Sequence, residues 1–301
     1  MLKQLQYQKY GNLHLHSTYS DGVLTVRELC EGAKAMGYGA LAITDHETCE
    51  GYADAKKYAA ELGLETLIGI ELYAKIEGIP SFHIVGLDFD PTEPAMADYL
   101  HNMWEGAYLD TKDRFDRLSA ADKLYGLRWE ELCEDFPAEK NWLCNEQVFA
   151  SLVKRKGLTQ PQYHAFSRMW GQARDKDLIK PFFSKDPTVV LRTLRDAGGI
   201  PILAHPHDQT QHLPTLYDMG LLGVEYDHPD VQSLDSYQAV EFAVKHSLYL
   251  SGGTDHTGLL ANAPHERGES PTSAYNLPLA TDVRCGVTKE QFEAIKNRIY
   301  G

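Results

Sequence analysis

Short apolar runs separated by amphipathic stretches recur along the chain. Residues 12–15, 40–43, 66–70, 82–87, 201–204, 223–226 and 248–250 read as strands. Between the early strands, residues 25–36 predict a helix opened by a Thr25 cap and followed by Gly37, and residues 51–62 predict a second, followed by Gly63. Repeated βα units of this kind imply a parallel sheet or barrel covered on both faces. The rhythm breaks between Thr92 and Asp196, where helical periodicity with Trp and Tyr replaces the strand signal, and resumes at Gly199-Ile200-Pro201-Ile202-Leu203-Ala204. The expected organisation is a barrel-like domain made of residues 1–91 and 196–301, with residues 92–195 inserted as a helical subdomain covering the active site.

Composition narrows the class. The chain has 301 residues, 43% hydrophobic and 24% charged, which excludes disorder and fibrous repeats and allows a substantial core. Lys and Arg number 29 against 43 Asp and Glu, a formal charge of -14. No broad positive face is therefore expected to recruit long nucleic acid or a membrane surface, and an anionic substrate needs a local cation. Five cysteines, an odd number without a C-x-x-C pair, argue against a disulfide framework. With no apolar leader and no stretch of roughly 20 apolar residues, the expectation is a cytoplasmic protein.

The 13 histidines could bind that cation, and their placement carries the chemistry. His14 and His16 flank Leu15, so in an extended chain both imidazoles point to one side, as two ligands of one metal must. Asp21 follows in a turn. Later strands carry Thr44-Asp45-His46, Gly69-Ile70-Glu71, His83, Ala204-His205-Pro206 and Gly253-Thr254-Asp255-His256. Taken singly, a strand-end histidine has a hydrogen-bonded structural reading, and Asp21 and Asp45 have readings as a turn residue and a helix cap. Recurrence at nearly every strand end favours a metal cluster instead, since the C-terminal strand ends of parallel barrels converge on the active site. His101, His164, His212, His246 and His265 lack such placement and read as surface or packing residues.

His14-Leu15-His16-Ser17-Thr18-Tyr19-Ser20-Asp21-Gly22, with Thr44-Asp45-His46, Glu71, His83 and Ala204-His205-Pro206, resembles the PHP (polymerase and histidinol phosphatase) family of metal-dependent phosphoesterases. The resemblance implies an α/β fold, a distorted (β/α)7 TIM-like barrel, holding two or three divalent ions (Mn, Fe or Zn). It places ligands at His14, His16, Asp21, His46, Glu71, His83, His205 and Asp255. By the same analogy His14, His16 and Asp255 hold one ion, His83 and His205 a second, with Glu71 bridging, and Asp21, His46 and His256 hold or replace a third. The family usually ends Asp-x-His, whereas here Asp255 is followed directly by His256, with Thr257 in the expected imidazole position. The favoured reading is that Gly252 and Gly253 re-aim the chain so that His256 serves as ligand.

The implied activity is hydrolysis of a small phosphate ester by a metal-activated hydroxide, with Asp21 and His46 in the catalytic centre. His207, His228 or Asp227, at the rim, are candidates to protonate the leaving group. Residues 145–157 are similar to a helix of the nucleotide-hydrolysing branch, where Arg-Pro-His is usual and this chain has Asn145-Glu146-Gln147. That branch implies a nucleotide substrate, a phosphomonoester or a 3',5'-bisphosphate. Arg168, Arg174 and Lys180 are candidate phosphate contacts, with solvated helix charges as the alternative. A histidinol-phosphate-type phosphatase, a metal-dependent C-N hydrolase and a non-catalytic metal-binding module are the competing readings.

Overall fold

The computed structural model describes residues 9–22, 24–137, 142–159, 162–174, 185–256 and 285–300. Seven strands lie side by side in chain order: β1 (Gly11–Asn12), β2 (Ala40–Ile43), β3 (Glu65–Ala74), β4 (Phe82–Leu87), β5 (Ile200–Leu203), β6 (Gly223–Asp227) and β7 (Tyr249–Gly252). The sheet curls into a nearly closed barrel. Leu13 N donates to Gly252 O at 3.1 Å, Asp255 N to His14 O at 2.9 Å, and Leu15 bridges His256, so the first strand meets the last.

The helices expected in the first quarter are present, α1 (Val26–Ala35) and α2 (Tyr52–Leu62). Thr25 caps α1 in a reciprocal box with Glu28, and Gly63 ends α2 at φ 66°, a conformation that disfavours residues with a Cβ. Both helices bury their apolar faces against β2, packing Leu29, Cys30, Ala55 and Ala59 around Leu41 and Ile43.

Parallel pairing was expected throughout, and β4 departs from it. It runs antiparallel to both β3 and β5. The cause is the short connection from β3 to β4, residues 75–81, which cannot hold a crossover helix and returns as a hairpin. Pairing with β4 also carries β3 on to Ala74, so Glu71 lies within a strand. The reversal matters for position: β4 begins at the rim where its neighbours end, which brings His83 opposite Tyr73.

Among the described residues, five helices lie between β4 and β5: α3 (Pro94–Ala120), α4 (Trp129–Asp135), α5 (Asn145–Lys156), α6 (Tyr163–Gln172) and α7 (Pro187–Asp196). The first half of α3 packs Met96, Tyr99 and Met103 on the barrel flank beside Ile70, Leu72 and Ile84. Its second half contributes Phe115 and Leu118 to a separate apolar cluster with Val148, Phe149, Phe166 and Trp170. α7 returns to the flank through Val190, Leu191 and Leu194. After β5 come a 3-10 turn at Thr210–His212 and the helices α8 (Leu213–Asp218), α9 (Ser233–His246) and α10 (Lys289–Lys296). Phe292 and Ile295 of α10 join Leu13, Ala42, Val85, Ile202 and Tyr249 in the barrel interior. No helix of the described residues is long and apolar enough to cross a membrane. All five cysteines are free thiols.

Candidate metal centre

Alternation along β3 sends Ile70, Leu72 and Ala74 into the flank core and turns Glu71 to the opposite face. There the fully buried Glu71 carboxylate is ringed by imidazoles. Its Oε1 faces His83 Nδ1 at 3.0 Å, His205 Nε2 at 3.2 Å and His14 Nε2 at 3.3 Å. Its Oε2 faces His46 Nδ1 at 3.1 Å and His16 Nε2 at 3.2 Å. Asp255 Oδ1 lies 3.0 Å from His16 Nε2 and 3.5 Å from His14 Nε2. Asp21 approaches the other side of His16, at 3.0 Å from Nδ1, and His46 Nε2 at 3.8 Å.

Four overlapping donor groups result among the described residues: His14, His16, Glu71 and Asp255; His14, Glu225 and His228; His46, Glu71 and His83; and His16, Asp21 and His46. The contacts look like ligands of shared cations rather than hydrogen bonds. His14 Nε2 and His16 Nε2 face each other at 3.2 Å, and two such nitrogens gain most when both aim at a third point. His46 Nδ1 and Glu71 Oε2 are 3.1 Å apart, yet both are buried without a hydrogen-bond partner. Imidazole nitrogen with carboxylate oxygen fits Zn, Mn or Fe.

The surrounding chain holds these groups in place. Asp45, weighed above as a helix cap, does something else: it accepts from Ser17 N at 2.7 Å, Ser17 Oγ at 2.7 Å and Ser20 Oγ at 2.6 Å. Those bonds fix the loop that presents Asp21. Asn12 accepts from Thr254 N at 3.1 Å and donates to Thr254 Oγ1 at 2.9 Å, tying β1 to the exit of β7. A Cβ on Gly253 would lie 2.5 Å from His14 N, so only glycine permits this approach. The re-aiming expected of Gly252 and Gly253 falls on Asp255 itself, which adopts φ 48°, and His205 likewise has φ 25°.

Burial penalises charged imidazole, but the carboxylates outweigh it: Glu225, Glu71 and Asp255 hold His14 well above the ordinary histidine range, and Asp21 leads the groups that do so for His16. His205 is raised by Glu71 and Asp255 against the same penalty. The histidines in turn hold buried Glu71 and Asp255 well below the usual carboxylate range. His46 is pushed down to about 4 by burial, which exceeds the pull of Glu71 and Asp21.

Sequence reasoning missed Glu225. It is fully buried in β6, lies 3.0 Å from His14 Nδ1 through Oε1, and accepts from His205 N at 2.8 Å. Donation from Nδ1 to this carboxylate leaves His14 Nε2 free to ligate and raises its basicity. The available signal was an acidic residue inside an apolar strand, a placement tolerated only when paired. Glu225→Gln is expected to weaken metal affinity about 10- to 100-fold while retaining the fold, measured by competition with a chromophoric chelator and by circular dichroism.

Other expected residues are placed less uniformly. His256 is buried with its backbone against Leu15 and His16, and it is not brought into a donor group among the described residues. Thr257 and Lys180 lie outside the described residues. His207 stacks on His205 at 4.9 Å, and its Nδ1 lies 3.0 Å from Asp230 O. His228 Nε2 is buried without a hydrogen-bond partner, 3.7 Å from Asp255 Oδ2. Asp227 is engaged by Lys9 at 2.6 Å and by Gly286 N at 2.8 Å, so it is held away from a proton-donor role. Arg168 is exposed on α6, whereas Arg174 lines a cavity beside the centre.

Comparison with known proteins gives a consistent picture. The PHP domain family model matches residues 12–140. The chain is 30% identical over 261 residues to phosphoribosyl 1,2-cyclic phosphate 1,2-diphosphodiesterase of Eggerthella lenta, covering 84% of this chain and 96% of the relative. It is 28% identical over 287 residues to 3',5'-nucleoside bisphosphate phosphatase of Chromobacterium violaceum, covering 89% and 92%. A solved structure from Bifidobacterium adolescentis, assigned to the metal-dependent phosphoesterases, superposes with a TM-score of 0.76 at 24% identity, covering 97% and 96%. That last likeness speaks to the fold.

Proposed function

Because the chain belongs to the PHP domain family of metal-dependent phosphoesterases, we propose that it hydrolyses a small phosphate ester, a nucleotide carrying a phosphomonoester or a 3',5'-bisphosphate. The observation that carries this reading is Glu71, whose two oxygens face different sets of imidazoles. A carboxylate so placed could serve two cations at once.

His14, His16, Glu71 and Asp255 would hold one ion; Glu71, His83 and His46, with His205 alongside, a second; Asp21 and His46, with His16, a third. Bound divalent ions supply Lewis acidity that acidifies water and neutralises charge on phosphate oxygens. The residues themselves do the rest. Glu225 fixes the tautomer of His14, and Asp45 fixes the loop carrying Asp21. Buried walls around Glu71 and Asp255 keep bulk water from screening the site. His228 and His207 stand together beside His205 as proton donors to the departing oxygen. Burial first, and then His205, push the His207 imidazole below its ordinary range.

The test pairs metal analysis of protein purified without chelator with a substrate panel: an aryl phosphate, histidinol phosphate, nucleoside monophosphates, 3',5'-bisphosphates and short oligoribonucleotides. Metal-dependent phosphate release from the nucleotides is expected. Rapid release from histidinol phosphate alone, or hydrolysis confined to an amide, overturns the nucleotide reading.

A further inference from the structure

Two histidines beside the metal centre take their orientation from the backbone of a single residue. Asp230 N donates to His228 Nδ1 at 3.1 Å, and Asp230 O lies 3.0 Å from His207 Nδ1. Asp230 itself is held in a turn that Val231 N closes by donating to His228 O at 3.2 Å. These contacts settle both tautomers. An amide N–H only donates, so His228 Nδ1 is the lone-pair nitrogen and the hydrogen of that ring sits on Nε2. A carbonyl oxygen only accepts, so His207 carries its hydrogen on Nδ1 and is left with a lone pair at Nε2. The two rings, with centroids 6.2 Å apart, therefore offer opposite polarity.

The Nε2–H of His228 faces the centre. Its side chain is fully buried, with the ring 5.3 Å from that of His205 and 6.1 Å from that of His14. Asp255 Oδ2 stands 3.7 Å from Nε2, too far for a hydrogen bond, and the nitrogen is buried without a hydrogen-bond partner. Buried donors are rarely left unsatisfied. The same hydrogen bars His228 from holding an ion with His14 and Glu225, although the three lie within reach of one another. A nitrogen that bears hydrogen has no lone pair for a cation, and the nitrogen that has one is turned to Asp230. What satisfies this ring is an oxygen acceptor rather than a metal.

We propose that His228 is a preset hydrogen-bond donor to an oxygen of the phosphate group held at the metal centre, with Asp230 as its positioning residue. The inference rests on the phosphoesterase reading above and divides a role given there to both rings. His228 offers a hydrogen to the substrate, whereas His207 has committed its own to Asp230 O.

The tautomer is tested first, by long-range proton–nitrogen NMR correlation on the full chain labelled with 15N-histidine, metal-free and zinc-loaded, the His228 signals being assigned by their loss in His228→Gln. A bare Nδ1 and a protonated Nε2 are expected in both states. Hydrogen on Nδ1, or an Nε2 that loses its hydrogen to zinc, overturns the proposal. The acceptor is tested by calorimetric titration of zinc-loaded protein with inorganic phosphate. His228→Leu should bind phosphate about 10-fold or more weakly, the scale of one hydrogen bond to a charged group, and His228→Gln, whose amide keeps a donor, within about threefold of wild type. Zinc content should be equal in all three. A His228→Leu protein that binds phosphate as wild type does, or a wild type that binds none, overturns the proposal. So does a His228→Leu protein that loses zinc along with phosphate, because the ring then serves as a ligand or as a prop for Asp255. Turnover is read separately: if the wild type hydrolyses no nucleotide, the proposed activity has failed, and the NMR and phosphate results alone decide the role of His228.

Discussion

Replacing Glu71 with Gln is expected to lower phosphoesterase kcat/KM by about 1,000-fold or more, roughly 4 kcal/mol of lost transition-state stabilisation. The amide keeps the shape but loses the charge that attracts cations and half of the acceptor capacity. Five imidazole nitrogens lie within 3.3 Å of this one carboxylate, so no neighbour can take over both of its faces. The fold should survive, because β3 is anchored through Ile70, Leu72 and Ala74 on the opposite side. His16→Ala is the companion variant, expected to lose metal and activity together. Metal content by mass spectrometry, circular dichroism and turnover on the same preparations decide the matter. Full activity in either variant sinks the ligand assignment.

The second large effect is on stability against pH. In metal-free protein the His14, His16 and His205 values are raised by neighbouring carboxylates. Raised imidazoles contribute stability that is complete below their unfolded value, about 6.5, and is lost as pH climbs through the folded values. Glu71, Asp255 and Glu225 are depressed. Their contribution is complete above an unfolded value of about 4 and is lost as pH falls through the folded values. His46, pushed down to about 4, costs stability as pH falls below its unfolded value of about 6.5, so metal-free protein should be most stable near about pH 6 and should lose about 5 °C or more in Tm between pH 6 and 9. Cations supply the missing positive charge, so metal-loaded protein should show little of that alkaline loss. Binding them must also expel protons from the histidines, which calorimetry in buffers of different ionisation enthalpy will count. A metal-free Tm that rises from pH 6 to 9 contradicts the proton-held cluster.

Much of the centre could be read from the chain because period-two alternation on short strands states which side chains share a face. His14 and His16 around Leu15, and Glu71 beside Ile70 and Leu72, are of this kind. The direction of β4 is another matter. Phe-His-Ile-Val-Gly-Leu alternates identically whichever way it runs, and the informative signal was the length of the preceding connection. Glu225 holds His14 Nδ1 and His205 N, and Asp45 holds Ser17 and Ser20, contacts between distant segments that strand spacing does not encode. The turn at Asp255 resisted reading because a positive φ on a non-glycine residue is imposed by packing rather than by local preference.

The reversed strand also bears on how the enzyme comes into being. Because β3 and β4 form a hairpin, Glu71 and His83 are 12 residues apart and meet at little cost in chain entropy. The opposite seam joins Asn12 to Thr254 across 242 residues, a far longer loop for the chain to close. An ion held by this donor group would have His14 and His16 on one side of that seam and Asp255 on the other. Metal uptake would thus fasten the junction that closes the longer loop, while the hairpin brings Glu71 and His83 together with little loop to close.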